Sequence, residues 1–181
     1  MIQTIHIGHL LRETVASPYR NLVTRPTGAA IRNRIQAAIA DSDCHTALLD
    51  FSDIELLDLS CADEVVAKLL LDDGERGSRF VVLSGLREDQ HEAIEHVLTT
   101  HRLVVAAMPC SEHPVPRLLG WVTADARAAF ALLCERGGEP AADLAGALGW
   151  PAPRAEEALA ALVLHRVVQT DGNRYQPLPI G

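Results

Sequence analysis

Residues 48–64 read LLDFSDIELLDLSCADE, and this stretch carries the sharpest structural signal in the chain. Residues 46–51 are mostly apolar, which predicts a short buried strand. A turn-like Ser52-Asp53 follows, and Ser60 stands where the N-cap of a helix over about 61–72 would lie. The stretch therefore predicts a strand, an acidic bend and a helix, with a serine hydroxyl at the start of that helix.

The residues before this stretch continue the same alternation of strands and helices. Residues 1–7 alternate apolar and polar side chains, which predicts a half-buried strand, and residues 22–24 predict a second short strand. Thr27 is the expected N-cap of a helix over about 28–40. Three isoleucines share one face of that helix: Ile31, Ile35 and Ile39.

The residues after it add two more apolar runs, at 79–84 and 103–108, separated by a polar helix over 87–100. Buried strands that alternate with helices of about 12 residues are typical of a mostly parallel sheet. We therefore expect an α/β domain over residues 1–115.

The composition changes beyond a proline-rich segment, and we expect a second domain over residues 118–181. Its pattern predicts three helices and a hairpin around Asp171-Gly172, which is the layout of a winged helix-turn-helix. The predicted helices cover 125–136, 140–148 and 155–166, and the hairpin covers 167–176.

Composition excludes several classes of protein. The chain has 181 residues, of which 48% are apolar and 22% charged, as in an ordinary globular protein rather than a disordered one. No apolar run reaches the length of a membrane span, and the first residues lack the pattern of a signal peptide. Four scattered cysteines without a CxxC pair predict reduced thiols and a cytoplasmic location.

The stretch 48–64 resembles the STAS family, and more closely its STAS-like branch. The resemblance rests on a strand that ends in Asp50-Phe51, an apolar and acidic loop, and Ser60 followed by Ala62-Asp63-Glu64. The order of elements over residues 1–108 is similar too: a hairpin, then alternating helices and strands. In bacterial anti-sigma factor antagonists of this family, a partner kinase phosphorylates the serine at this helix start.

By this resemblance, Ser60 matches the phosphorylated serine and Asp58 matches the acidic residue of the family's loop. The partner is then an ATP-binding serine kinase, an anti-sigma factor with a GHKL-type fold. The family's usual glycine after the serine is replaced here by Cys61. We expect the partner-binding surface to comprise the following residues: Asp58, Ser60, Cys61, Asp63 and Glu64.

Physical chemistry gives Ser60 two interpretations. A phosphate at a helix N-terminus is favoured by free N–H groups, while its added negative charge beside the nearby carboxylates would repel a docking partner. Alternatively, Ser60 is a plain N-cap that contributes about 1 kcal/mol to its helix. The residue type and its position agree with both.

The winged-helix pattern also has two interpretations. A recognition helix in a DNA major groove would use Arg154 and His165, with Arg174 in the wing on a phosphate. Residues 116–181, however, carry 6 Lys+Arg against 7 Asp+Glu, whereas a DNA-binding module is usually basic. A module for protein interaction or for homodimerisation fits this charge better.

Three classes of function therefore compete: a non-enzymatic signalling switch that depends on Ser60, a DNA-binding transcriptional regulator, and a constitutive protein adaptor. No catalytic triad, phosphate-binding glycine loop or HExxH pattern is present in the sequence. The pairs Cys110–His113 and Cys44–His45 have no companion ligands at metal-site spacing. We expect no enzyme activity, no cofactor and no metal.

Overall fold

A computed structural model describes residues 1–16, 18–76 and 79–178 as a mixed α/β structure. The helices are α1 Ile7–Val15, α2 Arg25–Ala40, α3 over 59–76, α4 Glu88–Thr100, α5 Ala124–Arg136, α6 Ala141–Leu148 and α7 Ala152–Leu164. The strands are β1 Ile2–His6, β2 Asn21–Leu22, β3 Thr46–Asp50, β4 Leu56–Leu57, β5 Phe80–Leu86, β6 Val104–Pro109, β7 Arg117–Gly120, β8 Glu139–Pro140, β9 Val168–Asp171 and β10 Arg174–Pro177.

The main sheet has the strand order β1-β3-β5-β6-β7. The first four strands are parallel and β7 is antiparallel, which confirms the predicted mostly parallel sheet. The predicted opening hairpin is wrong, because β1 pairs with β3 and β2 pairs with β4. The reason is that α1 follows β1 directly and buries Ile7 and Leu11, so a helix rather than a tight turn connects β1 to β2.

One face of the main sheet carries the larger core, beneath α1 to α4. Alternate residues along each strand point into it, for example Ile5, Leu49 and Leu83. The isoleucines predicted on one face of α2 are buried in this core. That helix begins at Arg25 with Thr24 as its N-cap, so the predicted start at residue 28 after a Thr27 cap is wrong.

The opposite face of β6 belongs to a second core. Val105 and Ala107 enter the first core, whereas Val104 and Ala106 pack with the C-terminal helices. Residues 117–120, most of which the sequence assigned to the second domain, form β7 at the edge of the main sheet. We call residues 1–120 the α/β unit and residues 121–178 the C-terminal unit. Strand β6 belongs to the α/β unit, but its side chains contribute to the cores of both units.

The C-terminal unit contains α5, α6, α7 and a three-stranded antiparallel sheet of order β8-β10-β9. Thr123 caps α5 by accepting a hydrogen bond from Ala126 N at 3.1 Å. The predicted hairpin is confirmed, with Gly172 at a φ of 63° in the turn between β9 and β10. Helices that were predicted over 125–136, 140–148 and 155–166 lie within a few residues of those bounds.

Helix α3 is continuous but not uniform. It opens with α-helical Leu59–Ala62, continues through a π-helical turn over Asp63–Ala67, and ends as α-helix over Lys68–Arg76. No helix in the described part of the chain is both long and apolar enough to cross a membrane.

Candidate partner-binding site

Asp58 joins the starts of α2 and α3. Its Oδ1 accepts hydrogen bonds from Cys61 N at 2.7 Å and from Ser60 Oγ at 2.8 Å, and its Oδ2 accepts one from Thr24 N at 3.1 Å. Asp58, not Ser60, is therefore the N-cap of α3, and the predicted cap is wrong. The Asp58 carboxylate lies one turn before Cys61 N and holds two helix starts together, whereas the Ser60 hydroxyl donates to Asp58.

These hydrogen bonds also set the charge of Asp58. Burial by itself would raise the pKa of this carboxyl, but the donors Cys61 N, Ser60 Oγ and Thr24 N outweigh burial and hold the pKa below its ordinary value. Asp58 is therefore held in its ionised form and accepts a hydrogen bond from the Ser60 hydroxyl.

The Ser60 hydroxyl lies beside an open cavity of about 360 Å³, which we call the Ser60 groove. Three helices form its walls: the start of α2, the start of α3 and the end of α4. Leu59 at its rim is 51% exposed, and Ser60 is half-buried. The lining residues are Arg25, Leu59, Ser60, Asp63, His96, Val97, Thr100 and His101.

Asp63 is the charged centre of this groove. It accepts a hydrogen bond from Arg25 Nη1 at 2.8 Å and pairs with His101 Nε2, also at 2.8 Å. Burial would raise the pKa of Asp63, but the hydrogen bonds from Arg25 and His101 lower it below its ordinary value. The groove therefore combines an anion, three basic side chains, a hydroxyl and apolar surface.

Glu64 lies beneath the groove and is only 3% exposed. Its carboxylate contacts Arg25 at 2.8 Å and also pairs with Arg32 and Lys68. Burial opposes ionisation of Glu64, yet the hydrogen bonds from Lys68 and Arg25 and the charge of Arg32 keep its pKa below the ordinary value. Arg25 thus connects a buried carboxylate with the groove surface.

Gly28 allows α2 to approach α3 at this point. A Cβ on Gly28 would lie 3.0 Å from Glu64 Cβ and 3.1 Å from Cys61 Cα, closer than ordinary packing. Cys61 itself is fully buried and donates from Sγ to Thr24 O at 3.0 Å. Burial, followed by the charge of Asp58, raises the pKa of this thiol to about 12, so it stays protonated.

The predicted partner-binding residues therefore have different positions. Ser60 and Asp63 line the Ser60 groove, and Asp58 lies directly behind the hydroxyl. Cys61 and Glu64 are buried, so they support the groove and do not present a surface to a partner.

Sequence reasoning missed the basic side chains of the groove. Arg25 comes from α2, while His96 and His101 come from α4. None of these residues belongs to a motif in the sequence. Only a prediction of how α2, α3 and α4 meet would have found them.

Two of the three basic residues predicted to bind nucleic acid are hydrogen-bonded within the protein, and the third lines a cavity. Arg154 forms a bidentate pair with Asp125 at 2.8 Å for both bonds and lies over the Trp150 ring at 4.4 Å. Arg174 donates to Gly138 O at 2.8 Å. His165 lines a separate cavity of about 150 Å³ between the two units, where burial lowers its pKa.

The outer face of α7 is acidic and apolar. Glu156, Glu157 and Ala160 are exposed along it, and Leu164 near its end is 79% exposed. The exposed positions 156, 157, 160 and 164 carry none of the arginine, lysine, asparagine or glutamine side chains that read base edges, and Arg154 on the same helix is paired with Asp125.

In residues 1–16, 18–76 and 79–178, no group of three or more His, Cys, Asp or Glu side chains is arranged to hold a metal ion. Comparison of the whole chain with family models, with curated proteins and with solved structures finds no match.

Proposed function

We propose that this chain is a non-enzymatic signalling protein that controls transcription through a protein partner bound at the Ser60 groove. The observation that carries the proposal is the half-exposed Ser60 hydroxyl between exposed Leu59 and the charged pair Arg25–Asp63. Apolar surface beside directional polar groups is the composition of a protein interface. The STAS-like sequence of this segment makes an ATP-binding serine kinase, an anti-sigma factor of the GHKL type, the expected class of partner.

Phosphorylation of Ser60 would act as an off-switch. The partner transfers the γ-phosphoryl group of ATP to Oγ, ADP leaves, and the hydroxyl proton is lost. In the unmodified protein, Ser60 Oγ donates a hydrogen bond to Asp58 at 2.8 Å. The ester oxygen of phosphoserine has no proton, so this hydrogen bond is lost. A phosphate also brings about −1.5 to −2 charges, so both lost hydrogen bonding and repulsion would change the surface that the partner contacts.

The C-terminal unit is proposed to be a winged-helix module that passes on the state of the α/β unit. Its order of elements, α5-β8-α6-α7-β9-β10, supports this assignment. The exposed Leu164 and the acidic residues on α7 favour contact with a protein over contact with DNA.

The test compares Leu59→Glu with Leu71→Glu. Both leucines are on α3 and have similar exposure, 51% and 43%, but only Leu59 lines the Ser60 groove. Each full-length variant, with wild type and Ser60→Asp, is produced in the source cell with an affinity tag. Bound proteins and the phosphorylation of Ser60 are then measured by quantitative mass spectrometry.

We expect wild type and Leu71→Glu to retain an ATP-binding serine kinase that Leu59→Glu and Ser60→Asp lose by at least about tenfold, a difference of about 1.4 kcal/mol. We also expect a fraction of the wild-type chain to carry phosphate on Ser60. Equal capture by all four proteins, or loss in both leucine variants, would contradict a partner site at the groove. An unmodified Ser60 under all growth conditions would contradict the switch.

A further inference from the structure

We infer that Arg25 is the residue that binds the phosphate carried on Ser60, by exchanging its present carboxylate partners for the phosphoryl oxygens. This inference rests on the proposed phosphorylation of Ser60 and adds its receptor. It concerns the isolated protein, so it is testable without the partner.

The path of the Arg25 side chain places its guanidinium next to Ser60. The residue before it, Thr24, donates to Asp58, two residues before Ser60, at 3.1 Å. The guanidinium donates to Asp63, three residues after Ser60, at 2.8 Å. Residues three apart on a helix are neighbours on one face, with about 5–6 Å between their Cβ atoms. Ser60 and Asp63, the residue that Arg25 contacts, therefore lie on one face of α3, and Arg25 and Ser60 line the same cavity.

The guanidinium has the capacity for this exchange. Its hydrogen bonds to Asp63 and Glu64 both start from Nη1, and the side chain is 51% exposed. An arginine has five N–H donors in a planar fork that matches phosphate oxygens. A phosphate dianion carries more charge than either carboxylate, so a charge-assisted pair with it is the stronger one.

Both carboxylates keep a partner when Arg25 leaves. Glu64 remains paired with Arg32 and Lys68, and Asp63 keeps Lys68 at 3.9 Å and its contact with His101 Nε2 at 2.8 Å. This matters because a buried carboxylate without a partner would be costly. Arg25 can thus move without leaving Glu64 or Asp63 unpaired, and it lines the groove. The phosphate is drawn into the Ser60 groove beside Leu59 and fills the space that the partner would enter.

The test is a ³¹P NMR titration of full-length protein in which phosphoserine is incorporated at position 60 during translation. Its second pKa, ordinarily about 6, falls when a cation binds the dianion. The variants are Arg25→Gln, Arg25→Lys and, as a matched control, Arg20→Gln. Arg20 is 52% exposed and pairs with Glu55 at 2.8 Å, but it does not line the groove.

Other ionisable groups line the groove or lie near it, and every variant retains them. They are Asp58, Asp63 and Glu64 from α3 and its cap, Lys68 further along α3, Arg32 from α2, and His96 and His101 from α4. Comparison between variants cancels their common effect on the phosphate.

We expect the phosphate pKa in Arg25→Gln to lie about half a pKa unit or more above that in the unsubstituted phosphoprotein, with Arg20→Gln unchanged and Arg25→Lys in between. Equal values in the unsubstituted protein and in both Arg25 variants would overturn the inference while leaving partner binding at the groove intact. If Arg25→Gln fails to fold, Arg25→Lys decides, because lysine keeps the charge but loses the fork. A lysine variant identical to the unsubstituted protein in both phosphate pKa and phosphorus chemical shift then counts against an arginine-specific receptor.

Discussion

The starts of α3 and α7 contain similar residues but use them differently. Each region has an arginine and an aspartate paired at 2.8 Å across two helices: Arg25 with Asp63, and Arg154 with Asp125. Arg25 divides one nitrogen between two carboxylates and borders a cavity. Arg154 uses two nitrogens on one carboxylate and is stacked on Trp150.

This difference separates a pair that can be rearranged from one that is already complete. The pair at α7 satisfies both partners locally and leaves an acidic and apolar outer face. The cluster at α3 has more cations than its carboxylates need and an open space beside them. The location of an arginine in the fold, rather than its presence, therefore decides whether it is available to a ligand.

The largest expected effect tests whether the two units unfold together. Phe51 is fully buried in the core of the α/β unit and Phe130 in that of the C-terminal unit. Each change to alanine should lower the free energy of unfolding by about 3–5 kcal/mol. Because β6 contributes side chains to both cores, we expect each variant to unfold in one transition.

Urea unfolding followed by two probes checks this expectation. Both tryptophans, Trp121 and Trp150, follow β7, so their fluorescence reports on the C-terminal part of the chain. Far-ultraviolet circular dichroism reports on all helices. Separate transitions for the two probes in Phe130→Ala would show that the shared strand does not couple the units.

A smaller loss of folding stability is expected when the buried carboxylate of Glu64 is neutralised, and none when the exposed carboxylate of Asp125 is. Glu64→Gln leaves three cations without their buried anion and should cost about 2–4 kcal/mol. Asp125→Asn changes an exposed pair on the surface, and we expect its unfolding curve to overlay that of wild type. A similar loss of stability in both variants would contradict the distinction between the two regions.

The cost of Glu64→Gln should also depend on pH. The pKa of Glu64 is lower in the folded chain than its ordinary value, so ionised Glu64 stabilises the fold above the pKa of the unfolded chain, about 4.3. That stabilisation is lost as the pH falls through the lower, folded pKa. Unfolding curves at neutral pH and at about pH 3 should therefore show a smaller gap between wild type and variant in acid.

The smallest expected effect concerns nucleic acid. We expect wild type, Arg154→Ala and Arg174→Ala to bind a labelled mixed-sequence DNA duplex equally weakly in fluorescence anisotropy at low salt, because both arginines already have partners within the chain. Tight, salt-sensitive binding by wild type that either variant weakens would favour a DNA-binding regulator instead.

Local patterns predicted much of the fold. The spacing of Ile31, Ile35 and Ile39 identified the buried face of α2, and the apolar run before Phe51 identified β3. Asp171-Gly172 identified the turn between β9 and β10. These signals succeed because helix periodicity, strand burial and turn geometry depend on residues close together in the chain.

Other assignments failed because they depended on contacts between residues that are far apart in the sequence. Ser60 and Asp58 are both acceptable helix caps by residue type, but Asp58 also accepts the Thr24 N–H group from α2. Strands β1 and β2 do not form a hairpin, because α1 lies between them in the chain. Of the residues predicted on the partner-binding surface, Ser60 and Asp63 line the groove, whereas Cys61 and Glu64 are buried and pack against α2.

The amino-acid sequence by itself determined the α/β class, the order of most elements and a serine near the start of α3, because these follow from side-chain types at fixed short spacings. Only the tertiary structure decided that Arg25, His96 and His101 surround this serine, since they come from α2 and α4 and meet through helix packing. It also decided that β6 serves two cores. A strand exposes opposite faces with alternate residues, but what covers each face depends on the whole chain.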